Sequence, residues 1–327
     1  MPSDAPVQLI LDTDIDTDCD DAGALAVLHA LANRGEVQLL GVVCSVPVPW
    51  TALCAAAINE ACGRSDVPVG LLELPNEDLE TLYGRYLHHR GRSGDGTVKP
   101  LYNEVIGREW QEANPDWRPR EAVSLYRDLL SRAPEVSVTL CAIGGLSALG
   151  RLLDSGPDEY SPMTGEDLVR AKVKRLVTMA ESVYPSGADS FNWTLDRLAS
   201  ARVINGWPAP ITVSDAGRNV LTGPRFLQAA PESHPVARAL RIWFGDREPA
   251  RSSWDQLAAI VAVRGGAGLF AEHGGNGLRF DAATGTHEYI PLEPGKPERT
   301  WLEPLVDDAA MARAVEDLMI EVVSPPR

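Results

Sequence analysis

Residues 7–23 read VQLILDTDIDTDCDDAG, an apolar β-branched run followed by six aspartates, Asp12, Asp14, Asp16, Asp18, Asp20 and Asp21. Val7 to Leu11 has the continuous apolar character of a strand buried on both faces, as in a parallel sheet. Asp20 and Asp21 open a segment in which Leu25, Leu28, Leu31 and Ala32 recur at helical spacing, and Gly35 supplies a stop. Acids in a first helical turn suit the helix dipole. The chain therefore begins as strand, acidic loop and helix, with the carboxylates at the carboxyl end of a strand, where open α/β sheets bind ligands. Like charges this dense raise each other's pKa values unless a cation or paired donors compensate, and a hard metal ion is the simplest compensation.

The same β-α alternation continues. Strands are expected at Val7 to Leu11, Val37 to Cys44, Val136 to Ala142, Val173 to Met179 and Pro210 to Val213. Helices are expected at Thr51 to Cys62, Arg120 to Arg132, Leu146 to Leu153, Leu195 to Asn205, His234 to Phe244, Trp254 to Val263 and Asp308 to Glu321. This order predicts an α/β fold, a doubly wound and mostly parallel sheet with helices on both faces. The 327 residues suffice for one large domain of this kind, with an insertion near 75–119 and an irregular, turn-rich β excursion near 265–290. Loops as long as the insertion are functional lids or disordered segments.

Formal net charge is −16, from 46 acids against 30 Lys and Arg, which disfavours nucleic-acid backbone and anionic membrane as partners. No targeting segment or long apolar run is read, so a soluble cytoplasmic protein is expected. The five cysteines, Cys19, Cys44, Cys54, Cys62 and Cys141, have neither CxxC pairing nor zinc spacing and read as core filler. Cys19 sits among carboxylates that raise its pKa and blunt it as a nucleophile.

Other chemistries are weighed against a metal site. An EF-hand loop requires Gly and Glu where this chain has Thr17 and Gly23. A haloacid dehalogenase-type phosphohydrolase would use Asp12 and Asp14 as nucleophile and acid/base, but no later segment clearly supplies its lysine and acidic pair. A solvated N-cap cluster without chemistry is the remaining reading.

The opening LDTDIDTDCDDAGALAVL resembles the signature of the inosine/uridine-preferring nucleoside hydrolase family, in the variant with two extra residues before the paired acids. CAIGGLSAL at 141–149, YPSGADSFNW at 184–193 and SSWDQLAAIVAV at 252–263 follow in the family's order, so the resemblance covers nearly the whole chain. It implies calcium-dependent hydrolysis of the N-glycosidic bond of a nucleoside or related N-riboside, in a homodimer or homotetramer.

Position by position, the resemblance makes Asp12 the first acid, near ribose and metal, and Asp14 the calcium ligand that activates water as general base. Asp21 becomes a calcium ligand, and Asp20 touches both ion and ribose hydroxyl. Ile143 offers the ion its backbone carbonyl, Asp255 closes the metal site, and Asn192 binds ribose hydroxyls. Taken alone, Asp255 reads as a helix-start acid. Calcium takes six to eight oxygen ligands, leaving room beside such a set for water and two vicinal hydroxyls. A carboxylate beside it can deprotonate the water, and negative surroundings favour an oxocarbenium-like transition state. Asp16 and Asp18 read as bystanders.

The chain departs from the family at Val48, where Asn is usual, and at Ser190, where Glu is usual and neighbouring Asp189 is the candidate replacement. The turn Ala180-Glu181-Ser182 lacks the family's glycines, and Ser214 to Asn219 is shortened. These changes fall on ribose binding more than on calcium binding, so a catalytically weak relative that binds calcium and a sugar-like ligand is the alternative function. Trp254 stands where some relatives have a proton-donating His. His88 and His89 are alternative donors, and Trp193, Trp254 and Tyr184 are candidates to stack on a base.

Overall fold

In the first strand, β1 (Val7–Thr13), alternation sends Leu9 and Leu11 into one apolar cluster and Ile10 into a second, and all three are fully buried. A strand with core on both sides must lie inside a sheet layered by helices. The computed structural model, which describes residues 5–16, 18–91, 101–181 and 184–323, shows that arrangement.

The strands that follow are β2 (Val37–Cys44), β3 (Val69–Leu71), β4 (Arg120–Glu121), β5 (Val138–Ala142), β6 (Val173–Met179), β7 (Ser186–Ala188), β8 (Ile211–Ser214), β9 (Leu221–Thr222), β10 (Arg251–Ser252), β11 (Phe270–Asp281), β12 (Thr286–Pro291) and β13 (Arg299–Pro304). Among the described residues, eleven of them form one sheet in the order β4-β3-β2-β1-β5-β6-β8-β13-β11-β12-β7. Pairing is parallel from β4 to β13 and antiparallel from β13 through β11 and β12 to β7. β9 and β10 pair separately.

The helix after β1, Asp20–Asn33, is buried from Asp20 to Leu31, as expected of a helix that is apolar on all sides. It packs in the same apolar cluster as helices Pro49–Ala61, Trp254–Arg264 and Asp308–Val323. Helices Ala122–Arg132, Ser147–Asp154 and Arg197–Gly206 contribute to the second cluster, on the other face. Gly35, at φ +73°, ends the first helix in the left-handed conformation that glycine accepts without strain. Among the described residues, no helix is long and apolar enough to cross a membrane.

The expected strands and helices are present, with shifted ends. The predicted strand start at Val136 moves to Val138 because Val136 has φ +49°. The predicted helix start at Arg120 moves to Ala122: Arg120 and Glu121 pair with β3, and the Glu121 carboxylate accepts the N–H groups of Val123 (3.0 Å) and Ser124 (2.7 Å) as an N-cap. The irregular region near 265–290 is the β11-β12 hairpin. The insertion is largely helical, with helical turns from Asn76 to His89 and a helix at Tyr102–Ala113, while residues 92–100 lie outside the described residues.

Candidate active site

The carboxyl ends of β1, β5 and β6 converge on a cavity of about 360 Å³. Its lining includes Asp14 just past β1, Ile143 past β5, Met179 and Glu181 at and beyond the end of β6, and Asn192. Two helices aim their first turns at it, one carrying Asp20 and Asp21 and the other Asp255. Where they meet, Gly23 faces the Gln256 side chain, and a Cβ there would lie 2.4 Å from Gln256 Nε2.

Asp20, Asp21 and Asp255 each offer a carboxylate oxygen, all within 4.8 Å of one another, and all three residues are buried. The Thr13 hydroxyl donates to Asp21, and the Asp255 backbone N–H lies 3.4 Å from Asp20 Oδ2. Burial first, and neighbouring carboxylates second, push Asp14, Asp20 and Asp255 well above the usual range, and burial with the Asp14 charge does the same to Asp21. Three buried oxygen donors whose ionisation is opposed by their surroundings form a set suited to a hard cation.

Asp12 is placed differently. It is fully buried and is not among the residues lining the cavity. Its Oδ2 accepts the Tyr126 hydroxyl at 2.6 Å, its Oδ1 makes no close hydrogen bond among the described residues, and burial raises its pKa to about 7.

Asn192 Nδ2 donates to the Ile143 carbonyl at 2.9 Å and to the Met179 carbonyl at 3.3 Å, tying the ends of β5 and β6 together. The Ile143 oxygen keeps a second lone pair for a cation. Asp189 lines the wall, but its carboxylate caps backbone, accepting N–H groups of Glu181 (2.7 Å), Phe191 (3.0 Å) and Trp193 (2.7 Å). A carboxylate does reach Ser190, from Glu181, which accepts the Ser190 hydroxyl and an Arg218 N–H. The sequence signal for it was its place immediately beyond the end of β6.

Asp16 and Asp18 are neutralised by arginines. Asp16 accepts from Arg90 (Nε at 2.9 Å), from Asn103 Nδ2 at 2.6 Å and from the Tyr86 hydroxyl, which seats the insertion on the acidic loop. Asp18 holds Arg251, whose Nε is 2.9 Å from both carboxylate oxygens, with Nη2 also donating. Of the aromatic candidates, Trp254 lines the cavity, whereas Trp193 is fully buried and donates to Thr178. Tyr184 stacks on Trp301 at 4.2 Å. Neither His88 nor any other histidine is among the described lining residues, and the His89 side chain lies outside the described residues. All five cysteines are free, and burial raises the Cys19 thiol first, with Asp18 and Asp20 adding to it.

Gly144 abuts the proposed base. A Cβ there would lie 2.7 Å from the Asp14 backbone nitrogen and 2.8 Å from Ser45 Oγ. Gly144→Ala is therefore expected to displace Asp14 and lower kcat/KM by about 10²-fold, as misplacement near 1 Å does. Steady-state kinetics check this, and an unchanged kcat/KM refutes it.

A doubly wound sheet with a carboxylate-lined cavity at the carboxyl ends of its strands defines an α/β enzyme with a hard-cation type of site. More particularly, the model of the inosine-uridine preferring nucleoside hydrolase family matches residues 9–294, and the chain belongs to that family of ribonucleoside hydrolases. The fold is similar to a plant nucleoside hydrolase (18% identity, 98% of this chain and 100% of that one, TM-score 0.64). It is also similar to the purine-preferring ribonucleoside hydrolase of Gardnerella vaginalis (15%, 96% and 98%, TM-score 0.65). A third similar structure is the inosine-uridine preferring enzyme of Bacillus anthracis (16%, 97% and 99%, TM-score 0.63). Sequence comparison with curated proteins returns no match. The family match leaves the phosphohydrolase alternative without support.

Proposed function

We propose that this enzyme hydrolyses the N-glycosidic bond of a ribonucleoside or related N-riboside, with calcium held by Asp14, Asp20, Asp21, Asp255 and the Ile143 carbonyl. The observation that carries the proposal is the buried triad of Asp20, Asp21 and Asp255 beside Asp14 in one cavity. When bound, calcium supplies charge that acidifies water and orders vicinal hydroxyls. Asp14 takes the proton from the attacking water as general base. Asp20 and Asn192 bind ribose hydroxyls, and Asp255 closes the metal site while facing the same sugar. Asp12, buried with its Oδ2 on the Tyr126 hydroxyl, adds negative charge near the developing oxocarbenium ion when ionised. The Glu181 carboxylate, which accepts the Ser190 hydroxyl, stands on the wall that the sequence changes altered.

The test is release of base or nitrophenol from ribonucleosides, deoxynucleosides and 4-nitrophenyl riboside, with and without EDTA. Cleavage confined to ribosides and abolished by EDTA is the expected result. Calcium-dependent stabilisation without turnover on any riboside would establish the alternative of a binding protein. The cytoplasmic location expected from the sequence and the homodimeric or homotetrameric state implied by the family resemblance belong to the same proposal, and light scattering on the purified protein reads the second.

A further inference from the structure

The described lining of the cavity contains one cation, Arg251, and no histidine or lysine. Its guanidinium carbon lies 4.9 Å from the Trp243 ring centroid and 5.0 Å from that of Trp254, and both indoles line the same cavity. Nε and Nη2 are held by Asp18. Nη1 makes no hydrogen bond among the described residues, and about a third of the side chain remains accessible (32%). A guanidinium fixed along one edge by a carboxylate and flanked by two ring faces has its direction set in advance.

We propose that Arg251 is the leaving-group residue, donating from Nη1 to a base that departs as an anion; this rests on the hydrolase reading above. A guanidinium does not give up its proton near neutral pH, so Arg251 acts by hydrogen bonding and charge, not as a general acid. In the step, the water oxygen bonds to the anomeric carbon and one water proton passes to Asp14. The carbon–nitrogen bond breaks with its electron pair on the base nitrogen. The resulting anion accepts the Arg251 N–H and later takes a proton from solvent. Substrates with a ring-nitrogen or carbonyl acceptor near the glycosidic nitrogen, which nucleobases have, gain most. Asp18 acts through Arg251 as a positioning residue.

The test compares uridine and inosine, whose bases are poor leaving groups, with 4-nitrophenyl riboside, whose nitrophenolate needs little help. Arg251→Ala is expected to lose about 10²–10³-fold in kcat on the nucleosides and about tenfold or less on the nitrophenyl substrate. Arg251→Lys, which keeps a charge without the fork, should recover part of the nucleoside rate, and Asp18→Asn should show the same split between substrates at smaller size. Equal losses on both substrates, or none on the nucleosides, overturn the assignment. A wild-type enzyme inert on every riboside overturns the hydrolase reading itself, and Arg251 falls with it.

Discussion

Asp14→Asn is expected to lower kcat by about 10²–10⁴-fold while the protein stays folded. Asparagine keeps the shape and one acceptor oxygen but cannot take a proton. The site is already strained by charge: burial and then Asp20, Asp16 and Asp12 oppose ionisation of Asp14. Removing one negative charge therefore does not weaken the metal-free fold, and the melting temperature in EDTA should stay level or rise. A base and a mere ligand also differ in pH profile. The wild-type rate should fall on the acid side as Asp14 protonates, and the residual rate of the variant should lack that limb. Turnover within about tenfold of wild type would sink the assignment.

Removing the cation should be the largest perturbation of stability. In the metal-free protein, Asp14, Asp20, Asp21 and Asp255 have pKa values well above 3.8, and Asp12 is raised to about 7. A group raised on folding contributes stability that is fully present below its unfolded pKa and is lost as pH rises through its folded pKa. In EDTA the protein should thus melt higher near pH 5 than near pH 8, the reverse of a protein held by ionised carboxylates. Calcium binds the ionised form, so its stabilising effect should grow with pH, reaching about 2.7 kcal/mol at a hundredfold excess over Kd. Thermal melts at pH 5, 6.5 and 8, with EDTA and with calcium, measure both trends. Curves that respond neither to EDTA nor to pH would remove the metal site.

What the sequence revealed follows from range. The strand, acidic loop and first helix were legible because periodicity and charge are local there, and the layered fold followed from their repetition. β3 spans three residues and β4 two, too few to display a period. The glycines and charged residues of β11 masked its alternation. The partners of the acids were out of reach: Asp16 finds Arg90 74 residues away, and Asp18 finds Arg251 233 residues away. Two of the six aspartates are thus compensated by guanidinium, and of the rest Asp14, Asp20 and Asp21 face the cavity. Asp189 looked available for a sugar hydroxyl because sequence does not show backbone N–H groups, and it caps three of them.

The triad of Asp20, Asp21 and Asp255 joins the first helix to the first turn of a distant one, with Asp255 235 residues beyond Asp20. A chain still emerging from the ribosome cannot assemble it before the segment with Asp255 has been made and docked at Gly23. Capture of an ion at the proposed site would therefore act as a completion signal, recording that the two distant parts of the molecule have met in register.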